Sequence, residues 1–322
     1  MIRLGVIGLG SIFPTQLQAL KQTQEIYQLL AVCDTDINKR GKFLAELLPE
    51  QKNRINIYQN SEELFQDPNI DAVLIATPPA THFALACTGI KQKKNILLEK
   101  PATMSFGELE TLYQEAKLHN VILHIAYHAA FARDVEWFLK NKDLLRQNFG
   151  LDELCRVECG FYDPYMENRN VIEQKRALGG SFLDSGVNAL SVCSRLTTLS
   201  DFTLVKQDDQ TDGTTIYHAE HQYQSRDCTI LIRTGWDLGR NYKSTSLKFS
   251  NSNGRLLLNH SNQCVIWMQG DKEEILYQDD SLPRLVAHYT GVFTDFHHAC
   301  LTREANQDQS LQVHRLLFEK IQ

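Results

Sequence analysis

The chain has 322 residues, 43% of them hydrophobic and 22% charged, with 33 Lys plus Arg against 39 Asp plus Glu for a formal charge of −6. That size and composition predict an ordinary globular protein of two domains, and without a basic block nucleic acid is not expected as a partner. No apolar run approaches the ~20 residues of a bilayer crossing, so no membrane partner is expected, and Met1-Ile2-Arg3-Leu4 enters a strand-like motif at once, which predicts a cytoplasmic chain without a signal peptide.

Short β-branched runs then alternate with helical patterns. Leu4-Gly5-Val6-Ile7 reads as a strand, a helix starts near Thr15, Leu29-Leu30-Ala31-Val32 is a second strand, a helix covers about 38–48, and Ala72-Val73-Leu74-Ile75-Ala76 is a third strand. A helix is predicted over 82–91, and the lysines at its end suit a solvated C-terminus. A strand over 95–98, a helix over 105–119 and a strand over 121–125 complete the pattern of a parallel sheet with crossover helices. A domain boundary is expected near residue 125. Beyond it come a helix over 133–140, a strand over 156–161 and a helix over 181–196. From about Phe202 strands alternate apolar with polar positions, including 229–233, 255–258 and 273–277, and helices over 285–299 and 310–321 close the chain. Short turns between these strands predict antiparallel pairing. The eight cysteines are scattered, which fits a reducing compartment. Only Cys155 and Cys159 are close, and they lack a second pair for a zinc tetrad, so no metal is expected.

Gly8-Leu9-Gly10-Ser11-Ile12-Phe13 follows the first strand directly and opens the first helix, the context that a dinucleotide-binding turn requires. Gly8 permits the tight turn and Gly10 lets a pyrophosphate approach the backbone, with Ser11, Ile12 and Phe13 completing the cofactor-binding loop. Phe13 stands where a third Gly or Ala is usual, so the packing there must differ. Asp34 ends the second strand, about where an acid reaches the adenosine ribose. Its carboxylate favours NAD by repelling a 2′-phosphate, whereas Lys39 and Arg40 are cations that suit one, so NADP is the second candidate. The structural alternative is a plain turn, Asp34-Thr35-Asp36.

Ile75-Ala76-Thr77-Pro78-Pro79-Ala80-Thr81-His82 closes the third strand, and Leu98-Glu99-Lys100-Pro101 closes a later one. With the glycine turn, in this order, these strings resemble the Gfo/Idh/MocA family of nicotinamide-dependent oxidoreductases, over essentially the whole chain. The resemblance implies an α/β protein: a Rossmann domain over 1–125, and a substrate-binding and oligomerisation domain over 126–322. The second domain would carry a large open, mainly antiparallel sheet, the surface expected to make a dimer or tetramer. It implies that Thr77, Pro78, His82 and Glu99 belong to the cofactor site, that the Lys100–Pro101 bond is cis, and that Lys100 touches both cofactor and substrate hydroxyl. A Lys suits this chemistry, because near a second cation or in an apolar cleft its pKa falls and it can exchange a proton with a hydroxyl losing hydride. The alternative is a solvated Lys on a loop.

The run from Gly179 to Leu190 resembles the family's glycine-rich turn and helix, in which an Asp and a His four residues apart face the substrate. Asp184 and Asn188 occupy those positions, on one helix face. An amide neither gains nor loses a proton near neutral pH, so Asn188 can orient a hydroxyl but cannot be the base, and proton removal falls to Lys100 or Asp184. Alternatively, Asp184 is an N-cap and Asn188 a polar helix residue. The Asn, with Ala126-Tyr127-His128-Ala129-Ala130-Phe131, is most similar to the L-arabinose and D-galactose 1-dehydrogenase branch, in which the His faces the sugar. His128 matches it, with a buried core His as the alternative. That branch's first-strand glutamate falls near Asp163, and the Trp and His after it align with Glu167 and Asn168. Trp236 is either a sugar-stacking aromatic or a core residue. The implied activity is oxidation of a small-molecule sugar, an aldose, at C1 to the lactone, with Lys100, assisted by Asp184, taking the hydroxyl proton. The alternatives are an inositol or sugar-nucleotide dehydrogenase and a non-catalytic nicotinamide-binding regulator.

Overall fold

Strands β1 (Ile2–Ile7), β2 (Tyr27–Cys33), β3 (Asn56–Tyr58), β4 (Ala72–Ile75), β5 (Asn95–Glu99) and β6 (Leu123–Ala126) form one sheet in the order β3-β2-β1-β4-β5-β6. All of its pairs are parallel. The computed structural model describes residues 1–46, 54–165, 179–212, 215–236, 239 and 241–321. β4 is buried at every position, and β1 and β5 over most of theirs. That is why these strands read as continuous apolar runs, since a parallel sheet is covered on both faces. The crossovers carry α1 (Phe13–Gln22), α2 (Ile37–Glu46), α3 (Ser61–Gln66), α4 (His82–Lys91) and α5 (Phe106–His119). Ser105 caps α5 by accepting from the Glu108 N–H, and Asn120 ends it in the left-handed region.

The rest of the chain supplies α6 (Arg133–Phe149), β7 (Leu154–Asp163), a π-helical turn at Phe182–Gly186 and α7 (Val187–Leu196). Then come β8 (Thr203–Thr211), β9 (Ile216–Gln224), β10 (Thr229–Trp236), β11 (Tyr242–Phe249), β12 (Arg255–Asn259), β13 (Cys264–Gln269) and β14 (Lys272–Gln278), followed by α8 (Arg284–Thr302) and α9 (Gln307–Phe318). The strands form an eight-stranded sheet, β14-β13-β12-β11-β7-β10-β9-β8. Every pair is antiparallel except β7 with β10. The exception arises because the chain passes through α7, β8 and β9 before β10, which is long enough for a crossover. β7 and β9 alternate buried with part-exposed positions, the pattern of a sheet solvated on one face.

Two units result: Met1–Tyr127 with Tyr289–Leu311, and His128–His288 with Gln312–Gln322. Tyr289–Leu311, assigned from the sequence to the second domain, packs with the first. Tyr27 Oη donates to Phe293 O at 2.7 Å, His124 Nε2 lies 3.0 Å from Asp295 Oδ2, and Asn306 Nδ2 donates to Ile125 O at 2.9 Å. Among the described residues no helix is long and apolar enough to cross a membrane, and no group of three or more His, Cys, Asp or Glu is placed to hold a metal ion.

Candidate active site

Gly8 has φ 99°, and a Cβ there would lie 2.4 Å from the Ala76 carbonyl oxygen, so only glycine fits between the ends of β1 and β4. An added Cβ at Gly10 would meet nothing within 4 Å. The backbone there faces open space, the room that a pyrophosphate needs to reach N–H groups at a helix start. Ser11 is exposed, and Ile12 is the N-cap of α1, its carbonyl accepting the Thr15 and Gln16 N–H groups at 3.1 Å. Phe13 is buried edge-on to Phe43 of α2, with centroids 5.6 Å apart. The bulk that a third glycine would exclude is therefore absorbed in the α1–α2 contact, worth about 0.5–1.5 kcal/mol beyond its buried area.

At the end of β2, Asp34 Oδ2 accepts the Leu9 N–H at 2.8 Å and Oδ1 accepts the Asp36 N–H at 2.9 Å. The residue thus makes the strand-end turn and also holds the glycine loop. Lys39 Nζ lies 3.5 Å from Oδ2, and Arg40 Nη1 donates to the Asp34 carbonyl. An acid and two cations gather where a ribose would lie, a donor set that fits a dinucleotide with or without the 2′-phosphate.

Two further loops leave the same edge of this sheet, after β4 and β5. Thr77 Oγ1 and Thr81 Oγ1 are 2.7 Å apart, and Pro78 O accepts the Thr81 N–H at 2.9 Å. His82, fully buried, sets Nε2 2.8 Å from Thr77 O and Nδ1 3.0 Å from Pro101 O. Its ring is occupied by main-chain carbonyls, so its contribution is to hold the two loops together. Burial lowers its pKa, and the neutral ring donates to one carbonyl at a time. The Lys100–Pro101 bond is cis. Glu99, buried beneath Lys100, accepts from Tyr289 Oη at 2.5 Å and Gln16 Nε2 at 2.8 Å on Oε1, and from the Lys100 N–H at 3.1 Å on Oε2. Burial raises this carboxyl, while Tyr289, Lys100 and Gln16 act to keep it ionised. Neither Gln16 nor Tyr289 stood out in the sequence. Gln16 breaks the apolar stripe Phe13, Gln16, Ala19, Leu20 of α1, a faint signal. Tyr289 reads as one more core aromatic.

In the second unit, Gly180 has φ 107° and a Cβ there would lie 2.8 Å from Ile216 O. The glycine opens a π-helical turn rather than the first turn of an α-helix, and such turns recur at functional sites. Asp184 sits inside it, buried, and Asn188 lies in the first turn of α7. Asn188 Nδ2 lies 3.4 Å from Asp184 O, and its buried Oδ1 has no hydrogen-bond partner among the described residues. Asp163 joins this cluster differently from expectation: Oδ1 takes Lys243 Nζ at 2.7 Å and Oδ2 takes Ser185 Oγ at 2.9 Å. It ties β7 to the turn that carries Asp184. Lys243 also donates to Tyr162 O and Asn241 Oδ1, both at 3.0 Å. Burial lowers its pKa, against the pull of Asp163. Trp236 is 1% exposed, with Tyr165 and Tyr217 edge-on to it at 5.8 and 6.2 Å. The core alternative therefore holds for Trp236, since no face of the ring is open to a sugar. His128 is partly exposed, with Nδ1 3.5 Å from His288 Nδ1. Glu167 and Asn168 lie outside the described residues.

Residues 2–127 match the sequence model of the Gfo/Idh/MocA oxidoreductases, described as an oxidoreductase family with an NAD-binding Rossmann fold. Similar curated proteins include a myo-inositol 2-dehydrogenase of Thermotoga maritima, 29% identical over 58% of this chain and 52% of that protein. A trans-1,2-dihydrobenzene-1,2-diol dehydrogenase of Mus musculus is 26% identical over 61% of this chain and 56% of its own. The chain thus spans about half the length of these curated relatives. Among solved structures, a 3-ketoreductase from Actinomadura kijaniata in complex with NADP and TDP-benzene superposes with TM-score 0.80 at 19% identity, covering 98% of this chain and 95% of that one. An oxidoreductase from Agrobacterium radiobacter in complex with NAD+, L-tartaric acid and magnesium gives 0.78 at 14% identity over 98% and 94%. At these identities the likeness concerns the fold, which matches along nearly the full length.

Proposed function

We propose that the protein is an NAD(P)-dependent oxidoreductase that converts an aldose of the D-galactose or L-arabinose type to its lactone. The observation that carries this reading is that the Gly8–Gly10 turn after β1 and the Lys100 loop after β5 leave the same carboxyl edge of one parallel sheet, on either side of β4, where open α/β sheets bind their ligands. The nicotinamide, when bound, supplies the hydride acceptor. Gly8, Gly10, Ser11, Ile12 and Phe13 form the loop that would hold the pyrophosphate, and Asp34 would take the ribose hydroxyls, with Lys39 and Arg40 able to take a 2′-phosphate. Thr77, Pro78, His82 and Glu99 hold the loops beside Lys100. Lys100 accepts the proton of the hydroxyl being oxidised. In the second unit, Asp184, Asn188 and His128 bind the sugar hydroxyls, and Asp163 keeps the Asp184 turn in place. Asn188, which cannot titrate, orients its hydroxyl through the unused Oδ1.

The named activities of the relatives favour a second reading, in which another carbon of a cyclitol or nucleotide sugar is oxidised. A panel of free aldoses, inositols and nucleotide sugars, followed by reduction of NAD and of NADP, separates the two. Turnover on galactose or arabinose types with lactone formation supports the first reading, and turnover on inositols or nucleotide sugars alone supports the second. Nicotinamide binding without turnover on any of them would make the protein a regulator. A cytoplasmic homo-oligomer assembled through the eight-stranded sheet belongs to the same proposal, and light scattering of the purified chain tests the assembly.

A further inference from the structure

Three cations stand in one row across the eight-stranded sheet. Lys248 of β11 is in register with Arg156 of β7 on one side and with Arg255 of β12 on the other. Residues paired in this way share a face of the sheet, with Cβ atoms about 4.5–5.5 Å apart. Side chains alternate along a strand, so Asp163 of β7 and Lys243 of β11, each an odd number of residues from the row, point to the opposite face. Burial agrees, since Lys243 is 8% exposed whereas Lys248 and Arg255 are both exposed. The row is therefore separate from the Asp163 cluster.

Like charges directly opposite one another on neighbouring strands destabilise a sheet. Here the repulsion is only partly offset. Glu158 Oε1 takes Arg156 Nε at 2.5 Å, while Lys248 and Arg255 enter no ion pair among the described residues. The next acid along the row is Glu273 of β14, which lies beyond Met268 of β13 and borders a different hollow. The three cations line a hollow of about 490 Å³ together with Glu158, Ser246 and Asn253, a volume in the range of small-molecule sites. Three cations against one carboxylate give it a charge of about +2. A phosphate monoester carries about −1.5 to −2 at neutral pH, whereas a single carboxylate would leave a cation uncompensated. Arginine meets phosphate with paired N–H groups and lysine as a point charge, and the Ser246 hydroxyl and Asn253 amide add neutral donors.

We propose that Arg156, Lys248 and Arg255 form a binding site for the phosphate group of a small molecule, on the face of the sheet opposite the Asp163 cluster. Calorimetric titration of the whole protein in chloride buffer tests it, with NADH present to occupy the glycine loop, and with inorganic phosphate and glycerol 3-phosphate as the probes. Binding is expected to weaken tenfold or more in the double variant Lys248→Gln/Arg255→Gln, and to weaken with added salt. Tighter binding of glycerol 3-phosphate assigns the site to an organic phosphate, and equal binding to the free ion. At low salt and without either probe, the double variant should melt at a higher temperature than the parent, because repulsion is relieved, and the probes should raise the melting temperature of the parent alone. Failure of both probes to bind, or equal affinity in the double variant, overturns the proposal. A changed oligomeric state in the double variant, with neither probe bound by the parent, would assign the row to acidic side chains of a second copy and overturn it as well.

Discussion

At the scale of single residues, the account turns on how Lys100 is held. Glu99 is a buried carboxyl group that meets three donors, and in a buried network of that kind each lost partner is costly. Lys100→Met removes the proposed proton acceptor but none of the glycine loop, so turnover should fall by about 10²–10⁴ while cofactor affinity stays within a few-fold, as checked by steady-state rates and fluorescence titration with the reduced cofactor. Unchanged turnover would remove Lys100 from the chemistry. Tyr289→Phe keeps the ring but takes one donor from Glu99; kcat should fall with cofactor affinity preserved, and equal rates would show the bond to be structural only. Gly8→Ala forces a Cβ against Ala76 O at a left-handed backbone position, and should cost both stability and cofactor binding, as read by thermal denaturation and titration.

At the scale of elements, Phe13 shows how far a motif reaches. Its ring joins α1 to α2, and Phe13→Ala should destabilise the first unit by about 3–5 kcal/mol in denaturant titrations. A loss under about 1 kcal/mol would show that the pair packs loosely. The strands of the first sheet were legible because burial on both faces writes uninterrupted apolar runs, and the glycine turn because Gly8 has no substitute. β3 was not legible: three residues, Asn56–Tyr58, at a sheet edge and none of them buried, carry no periodic pattern. The π-helical turn at Phe182–Gly186 was read as ordinary helix because Asp184 and Asn188 keep the spacing of one helical face. The membership of Tyr289–Leu311 in the first unit was hidden because its anchors, Tyr289, Phe293 and Asn306, act through contacts with residues far away in the chain. For the same reason Asp163 was seen as a carboxylate for the sugar, while its bonds to Lys243 and Ser185 were not.

Over the whole molecule, several buried histidines share one consequence. His82, His221 and His288 are each held by burial below the ordinary imidazole value of about 6.5. In the unfolded chain they take up protons as the pH falls through about 6.5, whereas in the fold they do so only at lower pH. The unfolded state then binds more protons, so stability falls with falling pH, by up to about 1.4 kcal/mol per pH unit for each ring. Thermal denaturation scans below and above that pH should show the melting temperature dropping on the acid side, and a flat profile would place these rings in contact with solvent. The most direct test of the central claim uses an aldose carrying deuterium at C1, incubated with the protein and the oxidised cofactor. The account predicts lactone together with reduced nicotinamide that has gained the deuterium; reduced nicotinamide without the label, or product oxidised at another carbon, would contradict it.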